Sequence, residues 1–238
     1  MKAFLLAGGR GERLHPLTAT SPKCLVPIGA MPLLGIWLDT LAQEGIDEVL
    51  LNVSHHADLV RAFLARRSGP PRVRLVVEDE PRGTAGTVAA NRAFVEGERD
   101  FWIVYADNLT DASLRAMLDT HRKHEGVLTM GLFHAPDPKA AGIVELAPDG
   151  RVASFEEKPA SPRGDLASAG LFLARSALLA ELLGAGDRLL DFGFDVLPRL
   201  AGRMYGHVLD GFFMDIGTPA ALERAAEAWA GRRRETGR

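Results

Sequence analysis

Three stretches of this sequence gather charge and flexible backbone in patterns suited to phosphate chemistry. The first is Leu6-Ala7-Gly8-Gly9-Arg10-Gly11-Glu12-Arg13-Leu14, in which an apolar run ends in three glycines and two arginines. Glycines let backbone N–H groups approach a polyphosphate, and cations neutralise it; a plain tight turn is the competing reading. Lys23, in Ser21-Pro22-Lys23, adds a further cation. The spacing excludes two other phosphate loops. A dinucleotide fingerprint from Gly9 needs glycine where Leu14 stands, and a P-loop needs Gly-Lys-Ser/Thr where Pro22-Lys23 stands.

The second stretch is Asp107, which follows the apolar run Phe101 to Ala106. A carboxylate at a strand end can hold a hard cation such as Mg²⁺ against phosphate oxygens, or simply open a turn through Asn108. The third is acidic: Glu78-Asp79-Glu80-Pro81-Arg82-Gly83-Thr84-Ala85-Gly86 reads as a strand end followed by a helix start, with Thr84 as a possible cap. Taken alone, Phe155-Glu156-Glu157-Lys158-Pro159 is a charged strand end stopped by proline, and Asp215 ends a strand before a capped helix.

Short β-rich apolar runs alternate with helical patterns, which predicts an α/β fold with a largely parallel sheet. Strands are expected at 2–7, 49–53, 73–77, 101–105, 127–133 and 167–174. Helices are expected at 33–44, 58–67, 84–95, 113–124 and 176–183, the first stopped by Gly45. Residues 143–146 and 152–155 predict a hairpin around Pro148-Asp149-Gly150. Asp191 caps a helix that Pro198 would kink, and Thr218-Pro219 opens a last helix. Gly184-Ala185-Gly186 reads as a turn. With no linker in view, residues 1–230 form one domain and 231–238 a basic, flexible tail.

The 238 residues carry a formal charge of -3, which argues for no nucleic-acid or membrane partner. No apolar segment approaches the length of a bilayer span, and the N-terminus lacks the apolar run of a signal peptide, so a soluble cytoplasmic protein is expected. Cys24 is the only cysteine, which excludes an internal disulfide and a Cys-rich zinc site. His55 and His56 read as loop residues pointing in different directions.

The stretch from Leu6 to Leu14, with Pro16-Leu17-Thr18, Ser21-Pro22-Lys23 and Val26-Pro27-Ile28, resembles the signature of sugar-1-phosphate nucleotidyltransferases. Gly83-Thr84-Ala85-Gly86, Ala106-Asp107, Ala141-Gly142-Ile143-Val144-Glu145, Glu157-Lys158-Pro159 and Asp215-Ile216-Gly217-Thr218-Pro219 extend the likeness in the family's order, most like mannose-1-phosphate guanylyltransferases. The resemblance implies a three-layer α/β/α, Rossmann-like and glycosyltransferase-A-like fold on a mixed, mainly parallel sheet with a hairpin insertion in the second half. Longer members carry a C-terminal β-helix, and this chain is expected to be a short form without it.

The resemblance also implies roles. Leu6, Ala7, Gly8, Gly9, Arg10 and Gly11 would bind the nucleotide, with Gly8, Gly9 and Gly11 cradling the triphosphate and Arg13 and Lys23 on the phosphates as catalytic cations. Glu78, Gly83, Thr84, Ala85 and Gly86 would line the base pocket. Asp107 and Asp215 would share a Mg²⁺. Asn108, Gly142, Glu157, Lys158 and Ser168 would bind the sugar 1-phosphate, Lys158 also acting in catalysis. Three departures touch these expectations: Ala106 replaces a glycine, Ala141 an aromatic and Ser168 an asparagine. The implied reaction joins a nucleoside triphosphate to a sugar 1-phosphate, releasing pyrophosphate. GTP with mannose 1-phosphate or a heptose 1-phosphate is favoured, a UTP- or dTTP-dependent hexose-1-phosphate enzyme is the alternative, and a non-catalytic nucleotide-sugar-binding subunit is the reading of another class. A homo-oligomer is left open.

Overall fold

The structure, a computed structural model, describes residues 1–182 and 189–235, with side chains to residue 232. The expected turn at 184–186 and the end of the expected helix at 176–183 lie outside the described residues.

In chain order the elements are β1 (Lys2–Leu6), β2 (Pro27–Ile28), β3 (Met31–Pro32), α1 (Leu33–Gln43), β4 (Glu48–Val53), α2 (Ala57–Ala65), β5 (Arg72–Val77) and α3 (Thr84–Ala90). They continue as β6 (Asp100–Tyr105), β7 (Asn108–Thr110), α4 (Leu114–His121), β8 (Leu128–His134), β9 (Gly142–Leu146), β10 (Val152–Glu157) and β11 (Leu166–Arg175). The last are α5 (Leu178–Glu181), β12 (Met204–Val208), β13 (Phe213–Asp215) and α6 (Pro219–Glu235). The fold is α/β, a mixed central sheet with helices.

Contacts divide the chain into two compact units, each discontinuous in sequence. One comprises Met1–Phe4, Arg82–Val104 and Ala112–Gly211. Within it β11 runs antiparallel to β6 and to β8, β9 and β10 form the expected hairpin, and β12 lies parallel to β8. The other comprises Leu5–Pro81, Tyr105–Asp111 and Phe212–Arg238, with β4 parallel to β5 and β7 antiparallel to β13.

Periodicity accounts for the core of the second unit. In α1 the residues spaced to share one face, Leu33, Leu34, Trp37, Leu38 and Leu41, are all buried. Gly45, at φ 73, takes the left-handed turn that ends the helix. The Trp37 indole N–H, buried with its ring, donates 2.8 Å to the Asn108 carbonyl and so ties α1 to the turn after Asp107.

Several local expectations are corrected. The helix at 84–95 stops at Ala90 and continues as a tighter turn over Arg92–Val95. Thr84 is not a cap: Gly83 occupies that place, at φ 77, and Thr84 is the first helical residue. Asp191 does cap, accepting from the N–H groups of Gly193 and Phe194, but the element is a wide π-type turn over Phe192–Val196. Pro198 then sits at the start of a new turn, where its missing N–H costs nothing, rather than kinking a helix. The α6 helix continues through residues 231–235, where a tail is expected, and Arg232 in its last turns bonds Asp111.

Candidate active site

In the second unit, β1 ends at Leu6 and the glycine loop begins. Its shape is set from below by a residue that sequence reasoning passed over. Asn52, in buried strand β4, accepts the Ala7 N–H through Oδ1 at 3.0 Å and donates from Nδ2 to Glu78 Oε2 at 3.0 Å. A Cβ on Gly8 would fall 2.6 Å from Asn52 Nδ2, so the loop packs on that amide only because position 8 is glycine. The signal was present: an amide inside the apolar run Val49-Leu50-Leu51-Asn52-Val53 must be hydrogen-bonded once buried. Glu78, expected at the base edge, is 5% exposed at the end of β5 and braces this amide.

Gly11 takes φ 66, and its carbonyl accepts from the Thr18 hydroxyl at 2.7 Å. Beside the loop a cavity of about 350 Å³ is lined by Arg10, Glu12, His15, Ser54, His55 and Asp79 among others. His55 and His56 do not diverge. Their rings meet edge-on at 5.1 Å, because His56 turns to φ 51 and breaks the strand's alternation.

Two of the three expected cations, Arg13 and Lys23, and the two carboxylates expected to hold a metal converge in this same unit. Lys23, 12% exposed, opens a short turn after Pro22 and places its ammonium 2.9 Å from Asp107 Oδ2 and 3.9 Å from Asp215 Oδ1. Backbone pairing brings the two carboxylates there: Asp215 in β13 stands opposite Asn108 in β7, and the Ile216 N–H donates to the Asp107 carbonyl at 3.1 Å. Loss of surrounding water, then the Asp107 charge, raises the Asp215 carboxyl above its ordinary value. Lys23, the Gly217 N–H and Arg13 pull the other way. Arg13 reaches the same place: a Cβ on Gly217 would lie 2.8 Å from its Nη2 and 2.9 Å from Asp215 Oδ1. Two carboxylates whose mutual repulsion is only partly relieved form a donor set that fits a hard divalent cation. Among the described residues no group of three or more His, Cys, Asp or Glu is placed to hold a metal. Further oxygens for such an ion must come from a ligand or water.

The first unit holds the other residues expected at the acceptor except Asn108, which is buried in β7 of the second unit. Glu157 ends β10 with its carboxylate in a notch cleared by two glycines. A Cβ on Gly142 would come 2.7 Å from Glu157 Oε2, and one on Gly193 would collide with the same carboxylate. Burial, reinforced by Asp191, raises the Glu157 carboxyl above its ordinary value against the pull of Lys158. Lys158 follows at φ 48 with its ammonium 3.8 Å from Glu157 Oε1 and 5.7 Å from the centroid of the Phe194 ring. Ser168 precedes an irregularity in the β11 to β8 register, and Gly170 there adopts φ 65.

The Gly83-Thr84-Ala85-Gly86 run is tied down within this unit. The Ala85 and Gly86 N–H groups both donate to the Leu190 carbonyl, at 3.0 and 2.9 Å, and a Cβ on Gly83 would collide with that oxygen. The Thr84 hydroxyl donates to Asp191 Oδ2 at 2.9 Å and accepts from the Phe192 N–H at 2.8 Å. Two of the backbone donors expected to meet a base therefore have partners already. Asp191, Gly193 and Phe194 are the residues sequence reasoning missed here, since only the capping role of Asp191 shows in the local pattern.

No helix among the described residues is long and apolar enough to cross a membrane. The family model for nucleotidyl transferases matches residues 2–231. Mannose-1-phosphate guanylyltransferase 1 of Arabidopsis thaliana is 31% identical over 226 residues, covering 92% of this chain and 62% of the relative. The mannose-1-phosphate guanylyltransferase of Mycobacterium tuberculosis is 29% identical over 229 residues, covering 94% and 63%. The chain thus spans about three fifths of the length of these relatives. A solved Bacillus anthracis protein, provisionally named a glucose-1-phosphate thymidylyltransferase, aligns with TM-score 0.84 at 24% identity, over 96% of this chain and 94% of that one. HddC from Yersinia pseudotuberculosis aligns with TM-score 0.80 at 23% identity, over 96% and 99%.

Proposed function

The chain belongs to the nucleotidyl transferase family, and from that premise we propose that it transfers a nucleotidyl group from a nucleoside triphosphate to a sugar 1-phosphate. A phosphate oxygen of the sugar 1-phosphate attacks the α-phosphorus, the bond to the β-phosphate oxygen breaks, and pyrophosphate leaves. The nucleophile is already an anion, so no protein nucleophile or strong base is required. The barrier lies in bringing polyanions together in line, which is a matter of charge and position.

The observation that carries this reading is the position of Lys23 between Asp107 and Asp215, with Arg13 beside them. Lys23 and Arg13 supply positive charge to the triphosphate, and the N–H groups of the glycine loop supply hydrogen bonds that need no reorganisation. Asp107 and Asp215 would hold a divalent cation, Mg²⁺ by the hardness of two carboxylate ligands. When bound, that ion would offset several kcal/mol of developing charge on the phosphates. Glu157 accepts from sugar hydroxyls and Lys158 binds the sugar's phosphate.

GTP is the favoured donor and mannose 1-phosphate or a heptose 1-phosphate the favoured acceptor. The guanylyltransferase relatives support this choice. So does the residue type at position 78, because carboxylate oxygens accept hydrogen bonds and guanine presents adjacent N–H donors on one edge. The test is pyrophosphate release with Mg²⁺ and each of GTP, UTP, dTTP, CTP and ATP against a panel of sugar 1-phosphates. Release confined to GTP with one of these acceptors is expected. Release with none of the pairings would overturn the reading.

A further inference from the structure

Phe194 is 61% exposed, an uncommon position for a large aromatic side chain in a segment held as tightly as this one. Its backbone is fixed by Asp191, whose Oδ1 accepts from the N–H groups of Gly193 at 2.8 Å and Phe194 at 3.3 Å within the wide turn. Wide turns of this π type are rare and recur at functional sites. The residue before it, Gly193, packs against the Glu157 carboxylate, and the Lys158 ammonium lies over the Phe194 ring. An apolar ring face, a hydroxyl acceptor and a phosphate-binding cation therefore sit side by side within one unit of the fold. A sugar 1-phosphate carries the matching groups: a C–H face, hydroxyls at the rim and a dianion.

We propose that Phe194 is the platform on which the sugar ring of the acceptor stacks, with its C–H face against the aromatic ring. The proposal rests on the acceptor roles of Glu157 and Lys158 argued above. Because Lys158 lies over the ring, a phosphate held by that ammonium hangs its sugar beside the same face. The ring adds contact area and selects sugars that present C–H bonds, not hydroxyls, on that side. Asp191 acts here as a positioning residue for Phe194.

The test compares pyrophosphate release by the wild type with Phe194→Ala, Phe194→Leu and Phe194→Tyr, varying mannose 1-phosphate at saturating GTP and then the reverse. In Phe194→Ala the KM for the sugar 1-phosphate should rise about tenfold, with the KM for GTP unchanged. Phe194→Tyr should restore it, and Phe194→Leu should not. An unchanged sugar KM in the Ala variant, an equal rise for both substrates, or full restoration by Leu would overturn the proposal while leaving the reaction standing. Absence of wild-type turnover with every sugar 1-phosphate would instead defeat the acceptor reading, and the proposal with it.

Discussion

The side-chain amide of Asn52 donates to the Glu78 carboxylate at 3.0 Å while its oxygen accepts the Ala7 N–H at 3.0 Å. One amide thus links two strand ends and sets the height of the glycine loop. Asn52→Ala leaves the Ala7 N–H without this acceptor and removes a donor from a buried carboxylate. Urea denaturation is expected to show a loss of about 1–3 kcal/mol. Asn52→Asp, isosteric but acidic beside Glu78, should be worse than the alanine variant.

Glu78→Gln replaces an acceptor-only group with one that also donates. The ratio of kcat/KM for GTP to that for UTP is expected to fall. An unchanged ratio would remove Glu78 from base selection and leave it as a brace for Asn52.

Lys23→Met removes the ammonium that Asp107 and Asp215 share. The turnover rate should drop by about 10²- to 10³-fold, the cost seen when one preorganised donor to a developing oxyanion is removed. Asp107→Asn and Asp215→Asn should each raise the Mg²⁺ concentration needed for half-maximal rate, read directly from a metal titration.

Glu157 supplies a pH signature. Its carboxyl is raised by burial, so the folded value lies above the unfolded one, and whatever this group contributes to stability is present at low pH and lost as pH rises through the folded value. Binding runs the other way, since hydroxyl donors need the ionised form. The KM for the sugar 1-phosphate should therefore rise as pH falls through an apparent pKa above the ordinary 4.5. Glu157→Gln should flatten that limb.

His124 has the opposite sign. Burial, with His121 and Arg175 nearby, pushes its ring down to about 4 from an ordinary 6.5. The ring accepts the Gly126 N–H at Nδ1, faces Thr129 Oγ1 through Nε2 at 2.8 Å, and stacks on Tyr205 at 3.8 Å. Above pH 6.5 folded and unfolded forms are both neutral. Between 6.5 and about 4 only the unfolded form gains the proton, so stability declines as pH falls across that window. Urea midpoints measured from pH 8 to pH 4 should show the decline, and His124→Gln should reduce it.

Much of this was legible in the sequence where period and turn chemistry act locally. The apolar face of α1, the turn at Gly45, the β9–β10 hairpin and the Thr218-Pro219 helix start all follow from spacing and from what glycine and proline allow. The cations and carboxylates of the site came from the family resemblance instead, since taken alone each reads as an ordinary strand end or turn. The supports of the site were harder to read. Asn52 meets Ala7 across 45 residues, and Thr84 meets Asp191 across 107. Contacts that distant depend on strand order and register, which no local pattern contains. Thr84 shows the effect: its hydroxyl looked free to cap a helix, and tertiary structure gave it to Asp191 instead.

The β7–β13 pair has an evolutionary consequence. Ala112–Gly211 departs from the second unit after Asp111 and returns at Phe212, and these two residues close on each other: the Asp111 N–H donates to the Phe212 carbonyl at 3.2 Å, and the Phe212 N–H to Asp111 Oδ1 at 2.7 Å. The excursion is thus a cassette whose ends are fastened together at its root. Substitution or lengthening inside it adds little to the entropy of closing the loop. Of the residues assigned to the acceptor, Gly142, Glu157, Lys158, Ser168 and Phe194 lie in the cassette, while Asn108 lies outside it with Lys23, Asp107 and Asp215. On the proposed roles, a lineage can therefore revise most of its sugar contacts by rewriting the cassette while inheriting Lys23, Asp107 and Asp215 unaltered.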